Sequence, residues 1–108
     1  MIGMPSIKPE HSEFHLGRVM VTPAVAMNMQ LRQGFAMDIR KCLKRHASGD
    51  WGDIGDEDRK MNDNALEDER NGGYSDTLFS MYEMENDTIY IITEGDRSVT
   101  TILFPDEY

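Results

Sequence analysis

Two stretches of this chain carry side chains of the kinds that do chemistry. His46 stands at the end of a helical pattern and directly before a glycine-rich run holding Asp50, Trp51 and Asp53, so an imidazole and two carboxylates fall within reach of one loop. An imidazole paired with a carboxylate titrates near neutral pH and can work as general acid or base. The second stretch is Thr93, Glu94, Asp96, Arg97, Ser98 and Thr100, which brings carboxylates, a guanidinium and several hydroxyls to one predicted hairpin. Together they name a candidate set for a small metal-independent hydrolase: Glu94 as base, His46 as acid and Arg97 as anion clamp.

Each of these residues also has a plain structural use. Small microbial ribonucleases of the barnase type carry a similar inventory on an antiparallel sheet, yet here no histidine lies on the last strands, and His46 would have to reach across the sheet. His46 can instead pack its ring against Trp51 and bond helix-end carbonyls. Asp96 and Arg97 can make a turn flanked by cross-strand threonine pairs. Trp51 suits either an anchor for a partner or a plug between loop and core. Asp50, Asp53, Asp56 and Asp58 crowd one segment, but an EF-hand spacing counted from Asp50 puts Ile54 at a ligand position, and helix capping by Asp53 or Asp56 explains the same residues. Cys42 stands alone, and His11, His15 and His46 are scattered, so no zinc spacing exists. The sequence assigns no metal and no cofactor. The residues offered as a binding surface are Asp50, Trp51, Asp53, Asp96, Arg97, Ser98 and Thr100.

The elements that would position these groups follow from periodicity and punctuation. Residues 1–12 hold two prolines, a glycine and no period, which predicts a flexible tail, with a single domain over 13–108. Phe14 to Val21 alternates like a strand. Thr22 and Pro23 are a helix-start pair, predicting a helix of two turns through Met29. Phe35, Ile39, Cys42, Leu43 and His46 recur at steps of three and four and share one helix face, which closes at Gly49. A weaker helix begins in the acidic run at Asp56, with Met61, Ala65 and Leu66 as its stripe. From Thr77 onward the pattern is strand, turn, strand, turn, strand: Leu78 to Tyr82, Thr88 to Thr93, and Ser98 to Phe104, with Gly95 and Asp96 as a two-residue turn. The predicted fold is α+β: a three-stranded antiparallel C-terminal meander, an N-terminal strand added at its edge, and two to three helices packed on one face.

Charge narrows the partners. The chain has 108 residues, with 11 Lys and Arg against 20 Asp and Glu, a net charge of −9. Such a surface repels phosphate backbones, so direct nucleic-acid binding is disfavoured. The basic group Arg40, Lys41, Lys44 and Arg45 reads as a solvated helix face. No apolar run suits a membrane span, and a lone Cys42 on a helical stripe reads as a buried thiol, which together predict a cytoplasmic protein without disulfides. Oligomeric state is not legible.

The run from His46 through Gly49, Asp50, Trp51, Gly52 and Asp53 resembles a small bacterial family labelled plasmid-related, as do Thr93 to Thr101, Leu16 with Gly17, Thr22 with Pro23, and the closing Pro105 to Tyr108. The likeness covers most of the chain after Glu13. It brings no activity with it, and implies a setting: bacterial cytoplasm and mobile genetic elements. Family members often carry alanine at the position of Gly95, which implies a longer loop there than a two-residue turn. The leading expectation is therefore a small acidic accessory protein that binds another protein. Its narrower form is a DNA mimic that occupies the groove of a defence enzyme. The hydrolase is the alternative.

Overall fold

The fold is seen in a computed structural model that describes residues 1–4 and 9–108. In chain order the elements are β1 (Ile2–Gly3), β2 (Arg18–Val21), α1 (Pro23–Leu31), α2 (Phe35–Ala47), α3 (Asp56–Arg70), β3 (Leu78–Glu83), β4 (Thr88–Thr93) and β5 (Val99–Leu103), with a closing 3-10 turn over Pro105–Glu107. The strands form one five-stranded sheet in the order β1-β2-β5-β4-β3. The domain is α+β, and its C-terminal strands are an antiparallel meander.

β2 does not simply extend the meander in the same sense. It pairs with β5 in parallel, Val19 opposite Thr100 and Val21 opposite Ile102, so helices and two strands lie between neighbours in the sheet. A parallel neighbour needs a long crossover, and α1, α2 and α3 lie within it. The expected tail has a role in the sheet: Ile2 pairs with Val21, Gly3 with Met20, and the Met4 N–H donates to the Val19 carbonyl. Met4 itself is buried. The part of that expected tail at residues 5–8 lies outside the described residues. The strand expected over Phe14 to Val21 is regular only from Arg18. Gly17, at φ +66°, turns the chain against the Ser98 carbonyl, where a Cβ would lie 2.3 Å from the oxygen.

One sheet face is the core. Val19, Val21, Leu78, Tyr82, Ile89, Ile91 and Ile102 point inward from four strands, and α2 covers them with Phe35, Ile39, Cys42, Leu43 and His46, the five positions that share its apolar stripe. Burial pushes the Cys42 thiol up to about 11, so it stays protonated. The opposite face stays half-exposed along its length, with Phe79, Met81, Tyr90, Ile92 and Met20 on it. The Tyr108 ring lies 6.0 Å from Tyr90 and 6.5 Å from Phe79, extending an aromatic cluster there.

The α3 stripe differs from expectation by one position. Met61 faces solvent, and Asn62 is buried with Ala65 and Leu66. Asn62 wins the inward place because its amide does what a neighbouring strand would do. It donates to the Phe79 carbonyl at 2.7 Å and accepts from the Phe79 N–H at 3.2 Å, capping the outer edge of β3. Asn62→Ala should leave both groups without a partner and lower stability by about 2 kcal/mol in urea denaturation. A loss below about 0.5 kcal/mol would mean that solvent replaces the amide there.

Candidate functional site

His46 is the centre of a buried polar chain. α2 delivers it to the sheet, fully buried, with Nδ1 2.5 Å from Ser80 Oγ on β3 and Nε2 2.9 Å from Thr93 Oγ1 on β4. Thr93 Oγ1 is 2.7 Å from Thr100 Oγ1 on β5, and Thr100 donates to the Leu16 carbonyl at 2.7 Å. A carbonyl only accepts, so the direction of the whole chain is set from that end. Thr100 spends its proton on Leu16 and accepts from Thr93. Thr93 in turn accepts from His46 Nε2–H, and Nδ1 is left to accept from Ser80. The imidazole is neutral and carries its proton on Nε2.

Aromatic rings seal this chain. Phe14 meets the His46 ring edge-on with centroids 5.4 Å apart, Trp51 does so at 5.5 Å, and Phe14 and Trp51 lie 6.0 Å from each other. Burial first, and the nearby Arg97 charge second, push the imidazole down to about 3. A general acid at neutral pH needs a proton to give and a path to solvent, and His46 has neither. The acid role expected for it is corrected: it is a core residue.

The other members of the expected triad do not join it. Glu94 is exposed at the end of β4. Arg97 is buried and holds the β4–β5 connection together, donating Nη1 to the Asp76 and Glu94 carbonyls at 2.7 and 3.0 Å and Nε to Glu69 at 3.1 Å. Its guanidinium also lies 5.8 Å from the Phe14 ring centre, so that ring stands beside both Arg97 and His46. The connection is a longer loop, not a two-residue turn at Gly95 and Asp96. The Arg97 N–H bonds the Glu94 carbonyl, the Glu94 N–H bonds the Val99 carbonyl, and Arg97 itself sits at φ 59°. That left-handed backbone costs a non-glycine residue on the order of 1 kcal/mol, which the three side-chain bonds offset. Asp96 accepts from the Ser98 N–H at 2.9 Å and from its hydroxyl, folding the loop from outside.

The loop from Asp50 to Asp53 is likewise spent on the fold. Trp51 is a plug, 1% exposed, its Nε1–H donating to Asp63 at 2.9 Å, so the partner-anchor reading is corrected. Asp50 takes two bonds from Arg45, at 2.7 and 3.2 Å, and that contact holds its carboxyl below the usual range. Asp53 caps no helix. It accepts from the Glu83 N–H at 2.8 Å, and α3 starts at Gly55 without a side-chain cap. Thr100, expected at a binding surface, is buried in the His46 chain. Among the described residues no three His, Cys, Asp or Glu side chains are placed to share a metal ion.

The surface grooves separate the two stretches. Arg97 lines one of about 710 Å³ beside Phe14, His15 and Glu69, and Glu94, Asp96 and Ser98 line another of about 430 Å³ beside Tyr74. Neither includes Asp50, Trp51 or Asp53. Ser80 and Asn62, which sequence reasoning missed, carry a faint signal: each is a polar residue at an inward position of an otherwise apolar period.

The class that fold and site define is an α+β domain with a five-stranded mixed sheet and a buried histidine-centred polar chain. No family model, no curated protein and no solved structure matches this chain.

Proposed function

We propose that this protein is a non-catalytic accessory protein that acts by binding another protein. What supports the reading is where the side chains are spent. His46, Arg97, Trp51, Asp53 and Thr100 hold the fold together. Large apolar side chains meanwhile remain at the surface: Met27, Leu31, Met37, Met61, Tyr74 and Tyr108 are exposed, and the aromatic sheet face of Phe79 and Tyr90 is half-exposed. Aromatic and methionine side chains left in this way are the usual material of protein interfaces. A net charge of −9 favours a partner whose apolar patch is rimmed by basic residues. The setting in mobile elements rests on the resemblance of the His46 to Asp53 and Thr93 to Thr101 segments. The DNA-mimic form draws on α3, where Asp56, Glu57, Asp58, Glu67 and Asp68 are exposed.

The test compares two forms of the intact chain. A partner captured by the wild type should be lost when Tyr90→Ser and Ile92→Thr are introduced on the open sheet face. Binding of the purified pair should weaken at least about tenfold between low and high salt. Equal retention by both forms would overturn the sheet face as the recognition surface, and salt-insensitive binding would remove the mimic.

A further inference from the structure

α1 is unusual for so charged a chain. Its nine residues, Pro23–Leu31, include no charged side chain, and Met27 and Leu31, one turn apart, are 59% and 76% exposed. α2 continues that surface with Met37, 54% exposed, followed on the same face by Arg40, Lys41 and Lys44 at steps of three, four and seven. These three cations are exposed, and among the described residues none makes an ion pair. The fold therefore presents an apolar patch bordered by a basic row, on a protein that is otherwise acidic.

The complementary surface lies on the same chain. On α3, Glu57, Met61, Asn64 and Asp68 recur at steps of four, three and four, a single stripe pointing away from the sheet, and Met61 in its middle is 63% exposed. Glu57 and Asp68 are exposed, and among the described residues neither is paired. The spacings also match. Lys41 lies about 6 Å along α2 from Met37, and Glu57 lies about 6 Å back along α3 from Met61, so laying the helices antiparallel with the methionines in contact sets Lys41 against Glu57.

We infer that this protein forms a two-fold dimer in which the Met37, Lys41 and Lys44 face of α2 in each copy docks on the Glu57, Met61 and Asp68 face of α3 in the other. Two-fold symmetry makes the contact twice, and the pairing closes without leaving either surface free to propagate. Net repulsion between two acidic copies acts mostly between charges farther apart than the screening length of about 8 Å at physiological salt, whereas the proposed pairs are in contact. The inference rests on the reading of exposed apolar side chains as recognition surfaces. It also sharpens that reading: a dimer occupies α3, which leaves the open sheet face, not the acidic helix, for a different partner.

Charge exchange tests it with the protein alone. Sedimentation equilibrium of the wild type at about 0.1 mM and physiological salt should return twice the 12.4 kDa chain mass. The double variant Lys41→Glu with Lys44→Glu should be monomeric, as should Glu57→Lys with Asp68→Lys, while an equimolar mixture of the two should recover the dimer. Met37→Glu, at an exposed position, should also give monomer and does not depend on the lysines. A monomeric wild type, a charge variant that still dimerises, or a mixture that stays monomeric would each overturn the dimer. None of these results touches capture of a partner by the sheet face, so the wider reading stands or falls on its own experiment.

Discussion

Lowering the pH from about 7.5 to about 5 should cost the wild-type domain about 2 kcal/mol of stability, and His46→Gln should remove most of that dependence. The sign follows from where the proton can bind. In the unfolded chain the imidazole takes up a proton near its ordinary value of about 6.5, whereas in the folded protein burial and Arg97 delay protonation to about 3. Between those values the unfolded state holds more protons than the native state, so stability falls as the pH falls and is fully present only above about 6.5. About 1.4 kcal/mol per pH unit over the 1.5 units from about 6.5 to about 5 gives the figure. The carboxyls that their contacts hold low, those of Asp50, Asp87 and Asp96, lose their contribution only at more acid pH, which leaves the upper window to His46.

Glutamine is the informative replacement because its amide can still donate toward Thr93. The variant should be weaker than wild type at about pH 7.5 by roughly 1 to 3 kcal/mol, since Ser80 loses the imidazole Nδ1 as acceptor. Its urea midpoint should then be nearly flat down to about pH 5. Parallel slopes for the two proteins would show that His46 is not the group responsible, and the assignment of a neutral, Nε2-protonated core imidazole would go with it.

How far the sequence could lead here depended on whether the controlling contact was local. α2 was legible because its stripe is set by steps of three and four within one helix. β4 was legible residue for residue, since Thr88 to Thr93 is a run of β-branched and aromatic side chains between turns. The parallel pairing of β2 with β5 was not, because nothing in four residues records a partner about 80 positions away. β1 was hidden for the same reason: two residues have no period. The polar chain fell between these cases. His46 could be placed on the inward stripe, but its partners Ser80 and Thr93 lie 34 and 47 residues onward, and each reads locally as an ordinary strand hydroxyl. The same gap misassigned Trp51 and Asp53. Their types suit a surface site, and only the fold shows that the outer edge of β3 required them.

That edge supplies the second large effect: Gly52→Ala should destabilise the protein by about 3 kcal/mol or more, while Gly72→Ala costs about 1. Both glycines have nearly the same backbone, φ +77° and +78°, so both substitutions carry the same left-handed penalty. They differ in space. A Cβ at Gly72 meets nothing within 4 Å, whereas at Gly52 it would lie 2.1 Å from the Met81 carbonyl oxygen and 2.6 Å from the Tyr82 ring. A backbone oxygen cannot turn aside as a side chain can, so the loop must leave the strand. It would take with it the Asp53 N–H bond to the Met81 carbonyl at 2.7 Å, the Met81 N–H bond to the Trp51 carbonyl at 3.2 Å, and the Asp53 cap on Glu83. β3 would then present free donors and acceptors along its outer side, so the variant should aggregate on warming as well as melt earlier. Gly55→Ala, at an ordinary φ of −72° and with open space around it, controls for any general effect of the added methyl and should be near neutral. Urea denaturation of the three variants decides the matter: if Gly52→Ala falls within about 1 kcal/mol of Gly72→Ala, the close approach of this loop to β3 is not what holds the edge shut.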